Sequence, residues 1–293
     1  MSDEIREIKL IEIFLKVDDF CLAAERWAKA NKIHCSACQG RLTISEILTI
    51  LIFYQHSGYK CFQYYYESGI LGHWSSCFPK AVAYHRFLDF IPRCFNHLFV
   101  LAHVQCAEAA RTGTYFADSK KLPVCDNRRI GSNWVFKEVA KRGKSSTGWF
   151  YGLKLHLIIN NLGEVVNFLI TPANVADNNE KVLLQLFEGV QGECYADKGY
   201  LSKLMGMLFQ KGLHLITKVR KNMKNQLMKL HQRLWLVKRA VIESVNDLLM
   251  SVFDIDHTRH RSPLNAMCHI LAGLVAYGFY DDKPSVILPN LIN

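Results

Sequence analysis

Three acidic residues in this 293-residue chain stand where phosphate chemistry could use them. Asp118 follows the short apolar run Tyr115-Phe116-Ala117, and Asp197 follows Gly192 to Ala196. An acid that directly follows a buried strand sits at the mouth of a sheet, where the chain leaves. Glu243 lies in a helical stretch whose apolar positions Val241, Val245, Leu248 and Leu249 turn inward, and Arg239 shares its face four residues earlier. Phosphodiester transfer needs charge stabilisation on both the attacking and the leaving oxygen. Two divalent ions ~4 Å apart supply it, and such ions take oxygen ligands. Three convergent carboxylates are about the minimum ligand set. No Ser/His/Asp order and no Gly-rich phosphate loop competes. Taken singly, each acid has a plainer reading: a turn or cap residue for the aspartates, a surface ion pair for the glutamate. The chemistry rests on the three together.

Three other acids could be mistaken for ligands: Asp177, Glu193 and Asp247. Asp177 lies in a loop after Pro172 and Asn174, and Asp247 shares a helix face with Glu243, so both are candidates for support around the triad. His156, between Leu155 and Leu157, reads as a packed core histidine.

The elements that must position these residues change character along the chain. To about residue 105 the pattern is helical. Ile8, Ile11, Phe14 and Leu15 recur at spacings of three and four, which predicts a buried helix face. Thr43-Ile44-Ser45-Glu46 is a capping box that opens a second helix. An aromatic cluster (Tyr54, Tyr59, Phe62, Tyr64, Tyr65, Tyr66) predicts a core. From Gly113 onward strands appear. Tyr115 to Asp118 is a short strand, and Trp149 to Ile159 alternates as a half-buried one. Asn160 to Gly163 is a hairpin turn, and Val165 to Ile170 is the returning strand. Gly192 to Ala196 and Leu213 to Val219 are further strands, separated by a helix at 201–210. Helices at about 230–253 and 263–280 close the chain. The expected architecture is α/β: an all-helical domain over 1–105, then over 106–293 an RNase H-like domain of the retroviral integrase type, with a mixed five-stranded sheet.

The net charge of +10 and pI of about 9.1 suit a polyanionic partner. Residues 211–240 carry nine Lys and Arg and no acid, and residues 120–144 carry eight against two acids. Such runs are usually solvated faces, but so little acidic compensation points to phosphate contact. Of the ten cysteines, Cys35 and Cys38 beside His34 form the one close pair, without the second pair a zinc site needs. The remaining cysteines read as buried apolar residues in a reducing compartment. The N-terminus carries acids before any apolar stretch, unlike a secretory signal. The longest apolar segment, Ala266 to Tyr280, is interrupted by His269 and is shorter than the ~20 residues of a membrane span. A cytoplasmic protein is expected.

Many short motifs occur here in one order: Ala117-Asp118-Ser119, Leu122-Pro123-Val124-Cys125, Lys141 to Gly152 running into Lys154-Leu155-His156, Thr171-Pro172-Ala173-Asn174-Val175-Ala176-Asp177, Ala196-Asp197-Lys198-Gly199-Tyr200, Thr217 to Lys224, Arg239 to Asp247, and His257 to Pro263. In these the chain resembles transposases of bacterial insertion sequences, those of insertion-sequence family 982 in particular. The resemblance implies a DDE triad of Asp118, Asp197 and Glu243, holding two Mg²⁺ ions for which Mn²⁺ can substitute. It implies double-stranded DNA, element ends and target, as the partner. It also implies a homodimer or larger assembly on that DNA, in a bacterial, nucleoid-associated setting without a membrane. The candidate DNA contacts are Lys141, Arg142, Lys144, Lys198, Lys218, Arg220, Lys221, Lys224, Arg239, Arg259 and Arg261. Lys60, Lys80, Arg86 and Arg93 are candidates in the helical part. Related groups place a Tyr three residues before the Arg and a Lys seven after the Glu; here those positions hold Leu236 and Met250. Lys198, Lys218 or Lys221 would have to replace that contact. The rival readings are a nuclease of the same fold without strand transfer, a non-catalytic DNA-binding descendant, and a basic scaffold protein.

Overall fold

The structure is a computed structural model, describing residues 3–33, 41–145, 148–201, 203–218, 228–256 and 260–288. Cys35 and Cys38, with Arg220, Lys221, Lys224 and Arg259, lie outside the described residues. The chain forms two compact units. Unit 1 comprises Met1–Ala102, Val252–Ile255 and His260–Phe279, and unit 2 comprises His103–Ser251, Asp256–Arg259 and Tyr280–Asn293.

Unit 1 is helical. Helix α1 (Asp3–Ala30) packs on α2 (Ile44–Ser57), and α10 (Pro263–Gly278) also packs on α2. The Thr43 capping box opens α2 as expected: the Thr43 hydroxyl accepts from the Glu46 N–H at 3.2 Å, and the Glu46 carboxylate accepts from the Thr43 N–H at 2.6 Å. The buried face of α1 is not the expected one. Leu10, Ile13, Val17 and Cys21 are buried, whereas Ile8 is 67% exposed and Ile11 and Leu15 are exposed with it. Both sets satisfy a helical spacing, so periodicity alone could not choose between them. After α3 (Phe62–Tyr64) comes a π-helical stretch, Tyr65–His73, which buries Tyr65 and Tyr66 against Phe53, Trp74 and Phe87. Their hydroxyls donate to the carbonyls of Ile50 and Val82, which makes the burial affordable. Helix α4 (Tyr84–Leu88) and the turn Ile91–Cys94 lead to α5 (Phe95–Glu108).

Unit 2 holds a mixed sheet. Strand β1 (Thr114–Cys125) pairs antiparallel with β3 (Gly148–Asn160), and β3 pairs antiparallel with β4 (Val165–Pro172). On its other side β1 pairs in parallel with β5 (Gly192–Ala196), which pairs in parallel with β6 (Leu213–Thr217). Five strands were expected; the structure adds a sixth, β2 (Lys141–Ser145), inside a stretch that reads as polar and basic. β2 pairs with Gly148 to Gly152 of β3, and β4 with Leu153 to Ile159. The two therefore lie end to end along one edge of β3, and the sheet is five strands wide, consistent in general terms with an RNase H-like topology.

Strand parity sends alternate side chains to opposite faces. Tyr115, Ala117, Cys194, Ala196, Leu213 and Leu215 share a core with α6 (Glu180–Leu186) and α7 (Met205–Gln210). On the other face the rings of Phe116 and Tyr195 make tilted contacts with Trp235 of α8 (Leu230–Lys238), and α9 (Ala240–Ser251) packs along β1. Among the described residues no helix is long and apolar enough to cross a membrane. Five of the described cysteines are buried as expected, but Cys61 and Cys77 are exposed.

Candidate active site

The parallel β1–β5 ladder ends at Ala117 opposite Ala196, so Asp118 and Asp197 are the next residue on each strand. Asp197 leaves the sheet, initiating the helical turn Lys198–Tyr200. Asp118 does not end its strand: β1 continues to Cys125 along β3, with Asp118 directly across from Leu157. The two aspartates are thus neighbours in strand register, Asp118 inside β1 and Asp197 just past the end of β5.

Helix α9 brings the rest. The Asn246 amide donates to Asp118 Oδ2 at 2.9 Å, and Asn246 is buried. Arg239, at the junction of α8 and α9, spans two acids. Its guanidinium lies 3.9 Å from Asp118 Oδ1 and donates to Glu243 Oε1 at 3.0 Å. Glu243 itself is 56% exposed on its side chain. Burial pushes the Asp118 carboxyl up to about 6; Arg239 and a backbone hydrogen bond at Ser119 oppose this, while the charges of Glu243 and Asp177 add to it. The carboxylate is thus an under-compensated anion, costly to desolvate and receptive to a cation.

Behind β1 three of the motifs interlock. Lys154 donates to the Val175 carbonyl at 2.8 Å and to Asp177 Oδ1 at 2.9 Å. His156 Nε2 meets the Thr171 hydroxyl at 3.0 Å, and burial pushes its imidazole down to about 4, leaving it neutral. Asp177 also faces Gly199, where a Cβ would come 3.4 Å from Asp177 Oδ2. The packed histidine is as expected, and Asp177 is tied to Lys154 on the neighbouring strand β3.

With this geometry in place, one comparison decides the family. Residues 108–263, more than half of the chain, match the family model described as Transposase DDE domain. The chain belongs to that family. No curated protein and no solved structure matches it.

Within the DDE domain, the described residues contain no group of three or more His, Cys, Asp or Glu side chains close enough together to hold a metal ion. Glu243 is instead held by Arg239. Asp247 pairs with Lys120 at 3.1 Å on the exposed side of α9. Glu193 is taken up by Tyr195, His231 and Gln232. Lys141, Arg142, Lys144 and Lys218 are exposed, and so is Arg261 in unit 1. The sequence reading quoted Asn246, Lys154 and Lys120 within motifs and charge runs but gave them no role. Asn246 was findable in principle: an amide between Ile242 and Leu249 on an apolar helix face must have a buried partner.

Proposed function

We propose that this chain is an insertion-sequence transposase, of the family 982 kind by its motifs, which binds terminal inverted repeats, cuts DNA and joins the free end to a target. The observation that carries the reading is the pair Asp118 and Asp197, side by side where β1 and β5 part, with Glu243 presented from the helix packed along β1.

The residues fit a divalent cation on two counts. Their donors are carboxylate oxygens, which Mg²⁺ and Mn²⁺ prefer. Arg239, already bridging Asp118 and Glu243, is a cation held by the same acids. Asp118, Asp197 and Glu243 would hold the ions, which when bound supply charge stabilisation to the attacking and leaving oxygens. The chain's own groups do the positioning. Asn246 fixes one oxygen of Asp118 and leaves the other toward Arg239. Glu243 is held by one exposed ion pair, an interaction worth about 0–1 kcal/mol, so it can change partner cheaply. Arg239, released from the acids, is placed to meet a phosphate. Asp177 and Asp247 are each paired with a lysine, Asp177 with Lys154 behind β1 and Asp247 with Lys120 between α9 and β1.

The helical unit is proposed to bind the element end. Arg86 and Arg93 both lie over the Phe90 ring at 5.4 Å and, with Lys60 and Lys80, are its candidate phosphate contacts. Cutting and joining two ends calls for a homodimer or larger assembly on DNA, in the bacterial cytoplasm. The test supplies pre-cut ends with a free 3′-hydroxyl, a target duplex and Mg²⁺. Joined product is expected; cleavage of intact ends without any joining would leave a nuclease of the same fold.

A further inference from the structure

Strand β1 runs on from Asp118 to Cys125, while its parallel partner stops at Ala196. Beyond the acids, β1 and β3, flanked first by β4 and then by β2, therefore form an arm with no β5 or β6 beside it. On β3, Trp149, Tyr151, Leu153, Leu155 and Leu157 share one face, and Leu157 is directly across from Asp118. Trp149 thus lies on the carboxylate face, near the end of the arm. Lys144 is directly across from Trp149 and Arg142 directly across from Tyr151, so both cations share that face. The Arg142 guanidinium sits 5.1 Å and the Lys144 ammonium 5.8 Å from the centre of the Trp149 ring, and Trp149 is still 54% exposed.

The arm is braced. The Asn127 amide donates to the Trp149 carbonyl at 2.7 Å. Gly143 lies so close to Ala173 that a Cβ would come 2.1 Å from the Ala173 carbonyl oxygen. Two cations gripped by an aromatic ring on a braced hairpin have lost much of their rotamer freedom before any ligand arrives.

Building on the reading that the acids cut DNA, we infer that Arg142, Lys144 and Trp149 form a phosphate clamp that holds the duplex at a set distance from the cut. Trp149 is the positioning residue, and the two cations make the contact. The separation from Leu157 to Trp149 is eight residues of β3. At ~3.4 Å per residue this is at most about 27 Å, because the sheet twists. Duplex DNA advances ~3.4 Å per base pair, so the clamp meets phosphates at most about eight base pairs from the scissile bond. Strand pairing alone therefore measures out the length of duplex held beside the cut.

The test is hydroxyl-radical footprinting, with Mg²⁺ replaced by Ca²⁺, on a duplex whose 3′-hydroxyl end is the boundary of the inverted repeat beside the reading frame. Wild type is compared with R142A/K144A, W149A and W149F, and affinities are measured across a NaCl series. R142A/K144A is expected to lose protection in a window about five to eight base pairs from the end, and its log–log salt slope should be shallower by about 1.8, at ~0.9 per phosphate contact. W149A should lose the same window and W149F should keep it. Should W149A fail to fold, the exposed pair R142A/K144A decides alone. Protection unchanged in that window, or lost only at the terminal pairs or beyond about ten pairs, overturns the clamp. On a second duplex that carries flanking DNA beyond the boundary, wild-type protein that cuts with Mg²⁺ while the variants keep a full footprint on the pre-cut duplex defeats the clamp only; wild-type protein that neither protects the pre-cut duplex nor cuts the flanked one defeats the DNA-cutting reading beneath it.

Discussion

Replacing Asp118 with Asn should make the metal-free protein more stable. Burial holds the Asp118 carboxyl at about 6 in the folded chain, against an ordinary value of 3.8. Between those two pH values the folded protein keeps a proton that the unfolded chain has lost. Stability therefore falls as pH rises through the window, and the full penalty persists above about pH 6. At ~1.36 kcal/mol per pH unit, a difference of roughly two units is about 3 kcal/mol. Asp118 retains 23% exposure of its side chain, and water moderates the effect, so about 1–3 kcal/mol is expected. Asn matches the protonated acid in shape, and its Oδ1 can still accept from Asn246. The assay is urea unfolding in the presence of a chelator from pH 4 to pH 8. Wild type and D118N should nearly coincide at pH 4, diverge up to about pH 6 and stay apart above it, the variant being the more stable. Added Mg²⁺ should then stabilise wild type and leave D118N unchanged, because a ligand stabilises only the fold that binds it. Equal stabilities at pH 7, or a less stable D118N, would refute the reasoning.

Three further outcomes follow from packing. Ile13→Ala should cost about 2–5 kcal/mol, since Ile13 is fully buried, and Ile8→Ala at the exposed stripe of α1 should stay within about 0.5 kcal/mol. Thermal or urea unfolding checks both, and the reverse order would restore the face predicted from periodicity. In Gly152→Ala the new Cβ would meet the Leu122 carbonyl oxygen at 2.1 Å, forcing β1 and β3 apart at a cost of about 1–3 kcal/mol or more; unchanged stability would contradict that close approach. Lys154→Met leaves Asp177 without its closest cation and should cost about 3 kcal/mol, with the double variant Lys154→Met/Asp177→Asn recovering part of it. No recovery in that cycle would mean that the two residues act independently.

How much of this was legible beforehand depends on how local each signal is. Strands β3 to β6 carry apolar alternation or short buried runs, and they were readable, as was Asp197 just past β5; Asp118 was read at a strand end but lies inside β1. Strand β2 and the far half of β1 were not. The arm they form is half solvated, so Lys-Arg-Gly-Lys and Lys-Lys-Leu-Pro have no apolar rhythm to betray a ladder. Helix α1 misled because Ile8, Ile11 and Leu15 mimic a buried stripe one step round from Leu10, Ile13 and Val17. The packing of α10 on α2, far apart in sequence, has no local signature at all. At the site, the spacing of Arg239 and Glu243 already announced an ion pair. That the same guanidinium reaches Asp118, and that Asn246 fixes its other oxygen, depends on where α9 lies against β1. Sequence spacing cannot carry that.

The most direct test of the central claim is Mg²⁺-dependent cleavage of an inverted-repeat duplex by wild type, Asp118→Asn, Asp197→Asn and Glu243→Gln, with binding measured alongside. Wild type should leave a 3′-hydroxyl at the repeat boundary. Each variant should still bind the duplex but cut it more than about a hundredfold more slowly, beyond the cost of losing a group that merely supports a metal ligand. Full-rate cleavage by any of the three, Glu243→Gln above all, would contradict the account.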